Sequence, residues 1–326
     1  MKKGFYVGLL IILIAAFILN LRKIEQPKKV EAAKQPIQTI TKMNLATVSP
    51  LTASDLYRML PDEIYFCGEH LILDENKKQK LASILSKEIT GYTPDSIRDM
   101  TDGLWFTYIE KEPKNTDFPE DLKYVPIAES KLDPNAKSQK EAIGPWQFIS
   151  GTADYFDLRV ENNYDERRDF VKSTEAAKKY LKELHDKFKN WPAALAGYNT
   201  GEKNLRNAMN KENTEDFFRL RTIDPETQDL PFRVLATKLI FTNSRKTDPF
   251  LQKGMLPSTK YENWEVIQVK LKLNGQTSID TIIQLLKTDY PNLNYKKFTD
   301  YNKHILGDLG AGTYTAYIVK ERNGTS

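Results

Sequence analysis

The chain has one cysteine, Cys67, among its 326 residues. That scarcity excludes an internal disulfide framework and any site built from several thiolates, and a lone thiol in a chain of this size packs as a small hydrophobe. Histidine is scarce too, with three residues. His70, His185 and His304 stand singly, at no spacing that would hold a metal, and no cofactor is expected. Strong charge of one sign is also missing: 48 Lys and Arg against 44 Asp and Glu leave a net charge of +4. A nucleic-acid binder would need a concentrated cationic face, so no nucleic acid is expected as a partner. Internal repeats and low-complexity tracts are absent. What remains is ordinary globular composition, 40% hydrophobic, long enough for a sizeable core and for more than one domain.

One long uncharged run is present, from Gly4 to Leu21 behind Lys2 and Lys3, and it can just span a bilayer. No small-residue cleavage site follows Phe17-Ile18-Leu19-Asn20-Leu21, and no lipid-accepting cysteine comes after it. Residues 1–21 are therefore expected to be an uncleaved membrane anchor. Residues 22–55 are polar and carry Pro27, Pro36 and Pro50 without apolar periodicity, as expected of a flexible tether.

From Glu75 the pattern turns helical: Leu81, Ile84, Leu85 and Ile89 recur at the spacing of one helix face and Gly91 supplies a stop. A second helix is predicted over Pro94 to Glu110. A third begins near Pro119, with Asp117 as its cap, and carries Leu122, Val125, Pro126 and Glu129 on one stripe. Helical spacing returns at Ala177, Tyr180, Leu181, Leu184 and Phe188 behind Ser173 as cap, again from Trp191 to Asn199, and last from Pro231 through Phe241. No alternation of period two is found between residues 75 and 245, so this part is predicted to be mostly α-helical. The tail differs. Ile267, Val269, Leu271 and Leu273 alternate with polar residues before the Asn274-Gly275 turn, two short helices follow, and Tyr314 to Val319 reads as a closing strand. The expected organisation is a tether up to 55, a main domain over 56–250 with its core at about 115–245, and a small βααβ module over 264–320.

Glu129 stands where a helix should bury an apolar side chain, directly before a polar loop. Burial disfavours the ionised form and raises the pKa, so such an acid can hold a proton near neutral pH and donate it. Its surroundings read FPEDLKYVPIAESKLDPNAKSQKEAIGPWQFI over 118–149 and WPAALAGYNTG over 191–201. Glu129-Ser130, Ser138, Gly144-Pro145-Trp146-Gln147, Gly197-Tyr198-Asn199-Thr200-Gly201 and Pro225-Glu226-Thr227 follow in that order. Taken together they resemble the lytic transglycosylases of glycoside hydrolase family 23, over about residues 60–245. Asp165 to Asp169, reading DERRD, and the phrase PEDLKY point to the group of membrane-bound lytic murein transglycosylase D. Pro145, Gly197 and Leu230-Pro231 depart from the family pattern.

The resemblance implies a lysozyme-like helical domain that cleaves the bond between N-acetylmuramic acid and N-acetylglucosamine in peptidoglycan. It also implies that Glu129 acts as sole catalytic acid and base, leaving a 1,6-anhydro product. Tyr198 would support the charged intermediate, Ser138, Gln147 and Asn199 would orient the sugars, Glu226 would join them, and Trp146 would floor a subsite. Asp165 to Asp169 are expected to form structural ion pairs rather than a site. The tail's element order resembles a LysM module, a glycan-binding reading set against that of a packing module that braces the enzyme. Such a substrate places the body in the periplasm or on the wall side, with peptidoglycan strands and the membrane as partners. The flanking Arg22, Lys23, Lys28 and Lys29 pull the other way. Two rival functions stay open: a lysozyme-type hydrolase, and a catalytically inactive wall-binding scaffold.

Overall fold

A computed structural model describes residues 52–111, 118–247, 261 and 263–322. The expected anchor, nearly all of the tether and the cap at Asp117 lie outside the described residues. In chain order the elements are α1 (Ala53–Met59), β1 (Glu63–Phe66), β2 (Glu69–Ile72), α2 (Glu75–Glu88), α3 (Pro94–Thr101), α4 (Leu104–Lys111), α5 (Val125–Ser130) and α6 (Ser150–Tyr155). There follow β3 (Val160–Glu161), β4 (Tyr164–Asp165), α7 (Phe170–Phe188), α8 (Trp191–Thr200), α9 (Glu202–Glu212) and α10 (Pro225–Thr247). The tail holds β5 (Trp264–Leu273), α11 (Ile279–Leu286), α12 (Tyr295–Tyr301) and β6 (Gly312–Glu321). The protein is mostly α, and its described strands pair as three antiparallel two-stranded sheets.

The helix starts follow local chemistry more closely than periodicity alone suggested. The Asp74 carboxylate accepts the Lys77 N–H and opens α2, which buries Leu81, Ala82, Ile84 and Leu85. The stretch from Pro94 is two helices, because the chain breaks at Asp102-Gly103, where Asp102 caps α3. The segment after Pro119 begins as a 3₁₀ turn, Glu120–Tyr124, and becomes α-helical only at Val125. Pro126 has no N–H to carry an α-helical ladder across that junction. Asp169, not Ser173, caps α7: its Oδ1 accepts from the N–H groups of Val171 and Lys172, both at 3.0 Å, while Ser173 is fully buried one turn inside. The last long helix starts at Pro225, six residues before the expected Pro231, which lies in its interior. Asp224 followed by Pro225 is the stronger start signal: the Asp224 carboxylate accepts the Glu226 N–H at 3.1 Å.

Helix α10 packs on α2, α8 and α5 and buries Leu230, Val234, Leu235, Ala236, Leu239, Ile240 and Phe241. Helix α8 is buried from Trp191 to Gly197. Gly197, a departure from the family pattern, lies under α7, where an added Cβ would meet Leu184 at 3.0 Å and Phe188 at 3.2 Å.

In the tail β5 and β6 pair along their whole length, from Trp264 opposite Glu321 to Leu273 opposite Gly312. Ile282, Ile283, Leu286 and Phe298 of the two helices pack on Leu271, Tyr314, Ala316 and Ile318. Tyr164 of the β3–β4 hairpin belongs to the same buried cluster. That hairpin has two residues per strand, too few to show an alternation, and so it left no trace in the periodicity.

Candidate active site

Helix α5 ends through Lys131 and Leu132 in the left-handed region (φ 55° and 64°), with Glu129 in its last turn. The Ser130 hydroxyl reaches the carbonyls of Pro126 at 3.0 Å and Pro145 at 2.8 Å, tying that turn to the segment around Trp146. Gly144 lets this segment pass: its φ is +84°, and a Cβ would lie 1.9 Å from the Arg167 carbonyl oxygen. Only glycine fits there.

A cleft of about 270 Å³ opens at Glu129 and is lined also by Ser138, Gln147, Tyr198, Asn199 and Glu226. The Glu129 side chain is half-buried, and its Oε1 is sealed from solvent with no hydrogen-bond partner. Burial pushes its pKa above the usual carboxylate value; Arg233 pulls it back and Glu226 adds to the rise. Tyr198 donates its hydroxyl proton to the Trp146 carbonyl at 2.7 Å, which leaves the phenolic oxygen as the negative end of a fixed dipole. Burial and the charge on Glu129 push that phenol well above its ordinary range. Asn199 accepts from the Thr227 hydroxyl at 2.7 Å through Oδ1, leaving its NH₂ as a donor. Gln147, itself left-handed (φ 53°), donates Nε2–H to the Gly144 carbonyl at 2.8 Å and keeps Oε1 as an acceptor. Ser138 accepts the N–H groups of Lys140 and Ala142 (3.2 and 3.1 Å), so it orders the loop as well as facing the cleft. Glu226 is exposed and pairs with Lys140 at 2.7 Å.

Residues 106–220 match the family described as Transglycosylase SLT domain. The chain carries an SLT-type transglycosylase domain. It is similar to membrane-bound lytic murein transglycosylase D of Escherichia coli (strain K12) and of Escherichia coli O6:H1, 34% identical over 144 residues in each case. The alignment covers 43% of this chain and 32% of those relatives. A protein of Alteromonas sp. (strain M-1), named for tributyltin chloride resistance, is 35% identical over 120 residues, which is 35% of this chain and 58% of that relative. The chain thus spans about a third of the length of the Escherichia coli proteins it matches. The matched SLT stretch holds Glu129, Ser138, Gln147, Tyr198 and Asn199 and ends before Glu226.

Trp146 departs from its expected place. It is wholly buried and its indole N–H donates to Thr174 Oγ1 at 2.8 Å, so it offers the cleft no ring face to stack a sugar. Its backbone carbonyl, which holds Tyr198, is its link to the site. Arg233 was not anticipated. It lines the cleft, donates to the Ala128 carbonyl and lies 3.4 Å from Glu88 Oε1. Glu226 and Arg233 are seven residues apart, two turns of one helix stripe, a relation hidden when the helix is started at Pro231.

Behind the cleft runs Asp165 to Asp169. Arg167 grips Asp165 through Nε and Nη2 (2.9 and 2.8 Å) and reaches the Glu141 carbonyl and the Ser150 hydroxyl. Arg168 donates to the Pro134 carbonyl at 3.2 Å. Glu166 accepts the Arg159 N–H and pairs with Lys172. On its other side this run meets the tail: Asp165 N–H donates to the His304 carbonyl at 2.9 Å, and His304 Nε2 lies 3.8 Å from Asp169 Oδ2. The segment that carries Ser138 and Gln147 is therefore backed by the ion pairs, and these in turn by the tail. Among the described residues no group of His, Cys, Asp or Glu is arranged to hold a metal, and no helix is long and apolar enough to cross a membrane.

Proposed function

We propose that this chain is a peptidoglycan lytic transglycosylase with Glu129 as its single acid and base. The observation that carries the reading is a carboxyl group with one oxygen sealed without a hydrogen-bond partner at the cleft. Most glycosidases use two free carboxylates. Here the other carboxylate lining the cleft, Glu226, is tied to Lys140, which favours the one-acid route over a two-carboxylate hydrolase. Glu129 gives its proton to the oxygen linking N-acetylmuramic acid to N-acetylglucosamine, and the bond from that oxygen to C1 breaks. The muramoyl acetamide oxygen and the Tyr198 hydroxyl oxygen face the positive charge that develops at C1. The Glu129 carboxylate then takes the proton of the muramoyl C6 hydroxyl, whose oxygen closes on C1 without water. Asn199, Gln147 and Ser138 orient the sugars, each through the donor or acceptor that its own packing leaves over.

The fold carrying this chemistry is read as lysozyme-like. The tail is read as a brace rather than as a LysM-like glycan holder, because its His304 meets Asp165 and Asp169 and its core takes in Tyr164, all on the run that backs the cleft segment. A cell-envelope location with the domain on the wall side follows from the substrate, and from relatives named as membrane-bound murein enzymes; residues 1–21 remain the proposed anchor. Mass spectrometry of digested sacculi tests the reading. Fragments ending in 1,6-anhydro-N-acetylmuramic acid, each lighter by one water than a hydrolysis product, are expected; reducing-end fragments would assign a hydrolase, and undigested sacculi a wall-binding scaffold.

A further inference from the structure

The aromatic lining of the cleft continues beyond it. From Tyr198 the ring centroids step 5.3 Å to Tyr180, 5.1 Å to Phe156 and 4.9 Å to Tyr155. The first two rings line the cleft, and the last is 71% exposed, the most exposed of the large hydrophobic side chains described. Thr152 and Ile149 also line the cleft. Tyr155 and Phe156 follow Thr152 by three and four positions, the spacing of neighbours on one helix face. Helix α6 thus presents its cleft-lining side first and the exposed tyrosine one turn further out. A single exposed aromatic needs no explanation, but one that ends an unbroken row leading from the reactive carboxyl does. Aromatic rings offer large, rigid amphipathic faces at small entropic loss, which suits the apolar face of a pyranose.

We propose that Tyr155, backed by Phe156, is a distal glycan-stacking subsite that holds a sugar of the same strand whose bond is cut at Glu129. The enzyme accordingly prefers long strands. This rests on the glycan-cleaving reading above, and continuity with that cleft is what identifies the occupant as the strand itself.

The test compares cleavage by the full chain of peptide-free strands of alternating N-acetylglucosamine and N-acetylmuramic acid, a tetrasaccharide against strands several times longer. Tyr155→Ala is expected to raise KM for long strands roughly two- to tenfold, the worth of one aromatic contact, with kcat and the tetrasaccharide KM unchanged. Tyr155→Phe keeps the ring and should retain the wild-type preference. Equal KM changes for both lengths, or none for either, would overturn the subsite. Binding of the same strands to the Glu129→Gln protein is measured in parallel. If the wild type cuts neither substrate, the cleavage reading has failed, and the length dependence of binding with and without Tyr155 still decides the subsite.

Discussion

Two places in this molecule bury carboxylates, and they treat them in opposite ways. In the run behind the cleft, Asp165 is held by both arms of Arg167 and Glu166 by Lys172 and a backbone N–H; Asp169, whose Oδ2 is itself sealed without a hydrogen-bond partner and lies 3.8 Å from His304, stands outside that contrast. At the cleft, Glu129 Oε1 has no partner. A buried charge that is fully paired makes a rigid junction, and one left unpaired is driven toward its protonated form. The partnered acids hold a wall in place so that the unpartnered one can trade a proton across it.

The largest expected effect removes the exception. Glu129→Gln should lower glycan cleavage by at least the roughly 10²–10⁴-fold usual for a general acid or base, measured by release of soluble fragments. The same variant should gain stability over the wild type as the pH rises. Burial raises the folded-state pKa of Glu129 above its unfolded value, so the wild type loses stability as pH rises through the raised pKa. The amide does not titrate. The advantage of Glu129→Gln in thermal denaturation should therefore widen with rising pH and vanish in acid; a constant gap across pH would mean that Glu129 is not held protonated by burial.

Breaking a member of the other class should do the reverse. Arg167→Met strips the buried Asp165 of both guanidinium hydrogen bonds, leaving Arg168 Nε at 3.8 Å as its charged partner, and should destabilise the fold by up to about 3–5 kcal/mol, read by denaturant unfolding, with activity lost only as the folded fraction falls. Retained stability would show that the ion pairs are incidental. A smaller effect sharpens the contrast from within the cleft. Arg233 holds the Glu129 pKa down, so Arg233→Met should raise it and move the basic limb of the kcat–pH profile to higher pH, because the proton donor survives longer. An unmoved limb would place the tuning elsewhere.

The match between pattern and structure varies with the kind of signal. Helix α8 was legible because Trp191-Pro192 opens it, Gly201 ends it, and the run between them is apolar as far as Gly197. The tail was legible because Ile267, Val269, Leu271 and Leu273 of β5 alternate with polar residues before the Asn274-Gly275 turn. Periodicity failed where a local bond or a tertiary contact outweighed it. Ser173 looked like a cap, yet Asp169 offers a carboxylate to two N–H groups at once. Pro231 looked like a start, yet packing on α2 and α8 carries the helix through it. Trp146 looked like a sugar platform, because sequence shows that a ring is near the site and not which way it faces.

By itself the sequence determined the chemistry available: one acid in an apolar stripe, the glycine that its neighbouring loop requires, and polar residues spaced to surround it. Those are local matters of backbone conformation and side-chain type, readable along the chain. Only the tertiary structure decided what that chemistry could become. It left Glu129 without a partner while giving one to Glu226, brought Arg233 to the back of α5, turned Trp146 inward, and set the tail behind the cleft. Each depends on which surfaces meet between residues far apart in the chain, and a buried charge is worth what its neighbours make of it.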